Sequence, residues 1–172
     1  MPEIKNALPV PEVCDACCSS NIELTTNDRI YGRTYGDWPK VYFCNDCKAA
    51  VGCHPGTEIP LGRMADRRIR QLRAKAHKAF DQLWRSGAMS RAKAYQWLAG
   101  ALQIPVDECH ISWLPEDLLN LTIEVSSKYY EDNSEALQRR KAKQDEKRYK
   151  REKQDRRQTA NHIKRRKAKR KP

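Results

Sequence analysis

No part of this chain approaches the ~18 consecutive apolar residues of a membrane-spanning helix, and residues 1–20 lack a basic start followed by an apolar run. Neither a membrane span nor a secretory signal is expected, which points to a cytoplasmic protein. Catalytic signatures are missing too. The four histidines, His54, His77, His110 and His162, have no acidic partner at motif spacing. There is no phosphate-cradling glycine loop, no nucleophile elbow and no carboxylate pair with a recognisable role. A nuclease built on a finger-type metal site needs a catalytic His beside an Asn or His on a compact ββα unit, and Cys109-His110 stands alone. The expectation is therefore a binding protein and not an enzyme.

Net basic charge is also absent from most of the chain. The formal charge is +12, yet residues 139–171 hold 18 Lys/Arg against 4 Asp/Glu, while residues 1–138 hold 16 against 18. Within the latter, residues 63–93 carry 10 basic and 2 acidic side chains, and residues 94–138 carry 1 and 8. Two cationic elements thus flank an acidic one.

What the chain does have is cysteine in pairs. Cys14-Asp-Ala-Cys17 and Cys44-Asn-Asp-Cys47 are separated by 26 residues. Each Cys-x-x-Cys closes a tight turn that aims two thiolates at one point, and together they complete the S4 shell that Zn2+ accepts at about 2.3 Å per Zn–S bond. A closed shell leaves no position for water or substrate, so the implied metal folds the protein. Disulfides are the alternative, but in a reducing compartment this spacing is more often a metal site. No βαβ pattern surrounds either pair, which argues against a thioredoxin-like role. Cys18, Cys53 and His54 lie close enough in sequence to substitute for one ligand. Cys109 reads as a small packed side chain.

The α+β fold expected has three parts: a zinc-ribbon β module over residues 1–62, a helical module over 63–130 and a charged tail over 131–172. Ile22-Glu-Leu24, Arg29-Ile-Tyr31, Lys40–Phe43 and Ala50-Val-Gly-Cys53 read as short strands, with a Gly32–Pro39 loop between the second and third. On this ribbon Arg29 and Arg33 alternate with Tyr31, Tyr35, Trp38 and Tyr42. Such rings either stack on unpaired bases or cover the small ribbon core. From about Met64 to Arg85 the period becomes helical, with Ile69, Leu72, Ala76, Phe80 and Leu83 facing inward. Arg63, Arg67, Arg70, Lys78 and Arg85 form a cationic outer stripe, able to follow a phosphate backbone or simply to face solvent. Gly87 ends this helix and Ser90 caps the next, over about 91–102. Helix–turn–helix is one reading of the pair, and an αα-hairpin packed for stability is the better one. A third helix is expected from Glu116 to about Glu131, a segment apolar enough to read partly as a strand as well.

These residues resemble the zinc-finger-containing domain family of unknown function found in tailed bacteriophages and prophages. The resemblance runs from about Val13 to Val125. It rests on the two cysteine pairs, Ile30-Tyr-Gly-Arg-Thr-Tyr-Gly36, Val51-Gly-Cys-His-Pro-Gly-Thr57, Ile59-Pro-Leu-Gly62, Ala76-His-Lys-Ala-Phe-Asp81, Gly87-Ala-Met-Ser-Arg91, Trp97-Leu-Ala99 and Cys109-His-Ile111. It implies zinc held by Cys14, Cys17, Cys44 and Cys47, and a phage-encoded protein acting in bacterial cytoplasm. Cys18 stands where a knuckle glycine is expected, and Cys53 where an aliphatic residue is usual. The basic tail lies outside the resemblance.

That tail has little apolar content and cannot bury a core. It has no Gly, and no Pro before Pro172. It is either disordered or a solvated helix; Glu146–Lys150 and Glu152–Arg156 are i,i+4 pairs, so a frayed helix is expected to about residue 157 with a looser end beyond it. Lys164, Arg165, Arg166, Lys167, Lys169, Arg170 and Lys171 close it. The function expected is nucleic-acid binding, DNA or RNA, without strong sequence preference. The alternative is docking on a host protein, such as part of the transcription machinery, through the acidic and apolar segment 94–138.

Overall fold

The computed structural model describes Ile4, residues 6–87 and residues 89–168, with side chains up to Thr159. Among these residues the order is β1 (Ile22–Thr26), α1 (Asp28–Tyr31), β2 (Lys40–Cys44), β3 (Ala50–Gly52), α2 (Arg67–Arg85), α3 (Arg91–Leu102) and α4 (Glu116–Ala168). The α+β class expected from the sequence is what the chain adopts.

β2 is the middle of an antiparallel sheet ordered β1-β2-β3, with Ile22 opposite Cys44, Thr26 opposite Lys40, and Tyr42 opposite Val51. Side chains alternate faces along a strand, and β2 is buried on both. Tyr42 and Cys44 pack with Cys14, Ala49, Val51, Cys53 and Met64. Val41 and Phe43 pack with Ala50 on the other face, where Ile30 covers them. That covering task explains one departure from expectation. Arg29-Ile-Tyr31 is not a strand but part of the single helical turn α1, closed by Gly32 in the left-handed region at φ 72°. The turn-forming run Thr26-Asn-Asp ends β1 and outweighs the strand preference of Ile30 and Tyr31. Asn27 then brackets the loop, donating to the Tyr35 carbonyl at 2.8 Å and accepting from its N–H at 3.0 Å.

The helical period beginning near Met64 overstates α2 by three residues. Asp66 is the N-cap, its side chain accepting from the Ile69 N–H at 2.8 Å. Met64 instead fills the ribbon core, and Ala65 exchanges backbone hydrogen bonds with Ala50 at 2.9 and 3.1 Å. The second core lies between α2, α3 and α4: Phe80, Leu83, Leu98 and Leu119 are fully buried. Each such side chain contributes about 1.5–3 kcal/mol by leaving water. Rings knit the layers, Phe80 to Tyr95 at 4.7 Å and Trp97 to Tyr129 at 4.9 Å. Ser90 caps α3 as expected, accepting from the Lys93 N–H. α2 and α3 form a packed αα-hairpin.

The segment 61–66 joins the two cores. The Met64 N–H donates to Asp15 in the first cysteine turn at 2.7 Å, and Ser112 Oγ donates to the Leu61 carbonyl at 2.9 Å. Gly62 lies so close to Ser112 that a Cβ there would sit 2.5 Å from the Ser112 Cβ.

α4 merges the helix expected over 116–131 with the tail helix expected to about residue 157, and runs beyond both. It starts beside α2, where Arg68 and Glu116 form a two-pronged ion pair. It runs alongside α2 in the same direction until Gln144 lies against Gly87. Leu137 is its last buried apolar residue, and every side chain described from Gln138 to Thr159 is exposed. The helix nevertheless continues without a break to Ala168. No described helix is long and apolar enough to cross a membrane.

Candidate metal centre and nucleic-acid interface

Two turns of the same construction build the metal centre. In the first, the Cys18 N–H donates to the Cys14 carbonyl at 2.9 Å and the Cys14 N–H to the Ser19 carbonyl at 2.8 Å. In the second, Lys48 donates to Cys44 at 3.0 Å and Cys44 to Ala49 at 2.8 Å. Cys18 and Lys48 occupy equivalent positions, and both are left-handed, at φ 58° and 64°. A left-handed residue after the second cysteine folds each loop back so that both its sulfurs face the other loop. Asp46 ties the loops together by accepting from Ser19 Oγ at 2.5 Å and Asn21 Nδ2 at 2.9 Å.

The sulfurs of Cys14, Cys17, Cys44 and Cys47 all lie within 4.8 Å of one another. The Cys14–Cys47 and Cys17–Cys44 separations are both 3.6 Å. A tetrahedron with Zn–S bonds of about 2.3 Å has an edge of about 3.8 Å, so the donor set fits one structural Zn2+. All seven cysteines are free of disulfides. The Cys44 thiol is brought down to about 7, first by the Cys47 backbone N–H donating to it. Burial pushes the thiols of Cys14 and Cys47 up. Among the described residues, Cys18, Cys53 and His54 are not members of the cluster. Cys18 is exposed, and Cys53 is a buried core residue whose backbone bridges to Pro60. His54 sits half-buried in the next turn, its N–H donating to the Ile59 carbonyl.

The aromatic residues of the ribbon divide. Trp38 Nε1 donates to the Thr57 carbonyl and the Tyr42 hydroxyl to the Glu58 carbonyl, so both serve the fold. Tyr31 and Tyr35 are 56% and 44% exposed.

The arginine stripe divides as well. Arg67 and Lys78 are exposed, whereas Arg70 donates to the Ala65 carbonyl at 2.7 Å and Arg85 pairs with Asp81 at 3.0 Å. Arg63 precedes α2 and lies 3.9 Å from Asp15. Arg29 pairs with Glu23 at 3.2 Å and donates to Asn45 at 3.0 Å, and Arg33 lies over the Tyr35 ring at 4.4 Å. Arg29, Arg67 and Arg70 come together with Lys48 and Arg68 in one open groove between the ribbon and α2, beside Cys47. Asp66 is the sole acid lining it among the described residues. Lys78 and Arg85 edge a second cleft with Lys141 of α4. Lys48 and Arg68 were not singled out from the sequence. The left-handed position after Cys47 marks Lys48, and the Arg67-Arg68 pair at a helix start marks the other. Lys164, Arg165, Arg166 and Lys167 lie on α4, and Lys169, Arg170 and Lys171 lie outside the described residues.

No curated protein and no solved structure matches the chain. A family model described as a zinc-finger-containing domain matches residues 10–129, taking in the ribbon, α2, α3 and the first turns of α4 but not the basic extension. On a match over more than half its length, resting on the four-cysteine centre just described, the chain belongs to this family of zinc-finger-containing domains.

Proposed function

We propose that the protein binds nucleic acid through its phosphate backbone, largely without sequence preference, on a zinc-folded scaffold. The observation that carries this reading is the extension of α4. Beyond Gln144 the helix runs 24 more residues, with every described side chain exposed. At 1.5 Å per residue it spans about 36 Å. It has no apolar stripe with which to dock on a protein, and its basic residues far outnumber its acids. A cationic helical rod of this kind can lie along duplex DNA, which carries one phosphate charge per ~1.7 Å of axis. Local pairs such as Lys150–Glu146 at 2.6 Å and Arg148–Asp145 at 3.2 Å support the helix. Glu152 faces Arg148 at 3.9 Å, the residue before it in the ladder, and not Arg156.

Docking of a host protein on residues 94–138 has less to hold it. The large apolar side chains there are spent on the internal core, and Val106, at 52%, is the one strongly exposed among the described residues. The charge of the globular part also leaves the extension as the main source of affinity. The test is truncation after Gln144, which keeps Leu137 and the Gln144–Gly87 contact. Binding to a duplex of arbitrary sequence is expected to fall at least about tenfold as phosphate contacts are lost. Unchanged binding by the truncated chain would contradict the proposal.

A further inference from the structure

The end of α1 and the loop that leads from it to β2 hold two tyrosines in the open, outside the ribbon core. Tyr31 and Tyr35 meet edge to face, centroids 5.4 Å apart and planes at 83°, and the Arg33 guanidinium lies 4.4 Å over Tyr35. Their neighbours Trp38 and Tyr42 are tucked into the ribbon, so the ribbon core is complete without them. The loop is nevertheless firmly built. Asn27 clamps both backbone groups of Tyr35, its own N–H donates to the Pro39 carbonyl at 2.9 Å, and the Gly32 N–H donates to Asp28 at 2.7 Å. A fixed loop presents its rings with little ordering cost on binding. Arg29 and Ile30, on the same helical turn as Tyr31, line the cationic groove with Lys48, Arg67 and Arg70.

We infer that this loop is a stacking platform for unpaired bases, and that the ribbon face takes single-stranded nucleic acid with its phosphates in the adjoining groove. Every base offers a π face, and aromatic rings beside arginine are the sequence-tolerant way to hold one. A duplex hides those faces in its own stack and gains only from the cations. The inference rests on the phosphate-binding reading and adds a strand preference to it. The extension of α4 holds either form, and the ribbon selects the unpaired one.

The full chain with zinc is titrated, by fluorescence anisotropy, against a labelled single strand of DNA, the same strand of RNA and a blunt DNA duplex of equal length. Raised salt reduces the contribution of the extension. Single strands are expected to bind more tightly than the duplex. Tyr31→Ala with Tyr35→Ala is expected to weaken single-strand binding at least about tenfold and to leave duplex binding unchanged. Tyr31→Phe with Tyr35→Phe retains the rings and is expected to bind as the parent does. Loss on both DNA and RNA supports a shared platform, and loss on one alone supports it for that strand. Equal single-strand binding by the alanine variant, with zinc content intact, overturns the inference and leaves the phosphate reading standing. Absence of binding to all three probes by the parent chain overturns both.

Discussion

At the scale of single residues, the metal centre accounts for an unusual backbone. Cys18 is held left-handed at φ 58°, a conformation in which a side chain costs about 1–2 kcal/mol and glycine costs nothing sterically. Glycine's extra freedom in the unfolded chain offsets about 0.5–1 kcal/mol of that. Cys18→Gly should therefore raise stability by about 0.5–1 kcal/mol in chemical denaturation, with zinc content unchanged at one per chain. Loss of zinc in that variant would return Cys18 to the ligand set. Cys44→Ser with Cys47→Ser removes half the shell, and metal analysis should then find zinc gone. Far-UV dichroism should keep most of its helical signal, because Phe80, Leu83 and Leu98 belong to a core that does not include the cysteine turns. His110 provides a pH signature. Its ring packs on Trp113 at 4.1 Å, and burial brings its pKa below 6.5, helped by the charge of Arg91 and opposed by the Asp107 backbone. The unfolded chain then takes up a proton more readily than the folded one. Stability is full above about pH 6.5 and falls as pH drops through the lowered value. His110→Gln should flatten that part of the profile, read as the difference in urea midpoint between the two chains from about pH 7.5 to about 5.5.

At the scale of elements, two glycines make opposite predictions. Gly62 sits where a Cβ would come within 2.5 Å of the Ser112 Cβ and 2.8 Å of the Ser112 carbonyl oxygen. Gly62→Ala should destabilise by about 1–3 kcal/mol, because the strap between the two cores must move. Gly100 lies in α3 with nothing within 4 Å of an added Cβ. Gly100→Ala should stabilise by about 1 kcal/mol through helix propensity alone. Thermal melts of the two variants, which should shift in opposite directions, check both. Elements with punctuation were legible in the sequence. Ser90 and Gly87 bounded α3 and α2, and Lys40–Phe43 running into Cys44 marked β2. α1 was not legible, since Ile30 and Tyr31 are strand formers and only the placement of Ile30 over Val41 and Phe43 shows why a helical turn serves better. The length of α4 was legible only in pieces, as one helix over 116–131 and a frayed one to about residue 157, and not as a single unbroken helix. Apolar periodicity stops at Leu137, and what carries the helix onward is the absence of Gly and Pro together with i,i+3 and i,i+4 ion pairs. The contact of Gln144 with Gly87 leaves no trace in a pattern of apolar residues at all.

At the scale of the whole molecule, the proposed function gives zinc and charge separate tasks. The four cysteines were legible because metal geometry demands a fixed spacing, whereas the cationic groove is made by residues as far apart as Arg29 and Arg70, which only the folded ribbon brings together. The globular part carries 16 basic and 18 acidic residues over 1–138, so under the proposed function long-range attraction for a polyanion comes from the 18 basic residues of 139–171. The most direct measurement of this account is the affinity of the full chain for duplex DNA as a function of salt. With about 6–10 phosphates neutralised, affinity should drop about 10^3–10^5-fold between ~50 and ~200 mM salt, and the logarithmic slope should become shallower after truncation at Gln144. An affinity that scarcely responds to salt, or a slope the truncation leaves untouched, would contradict it.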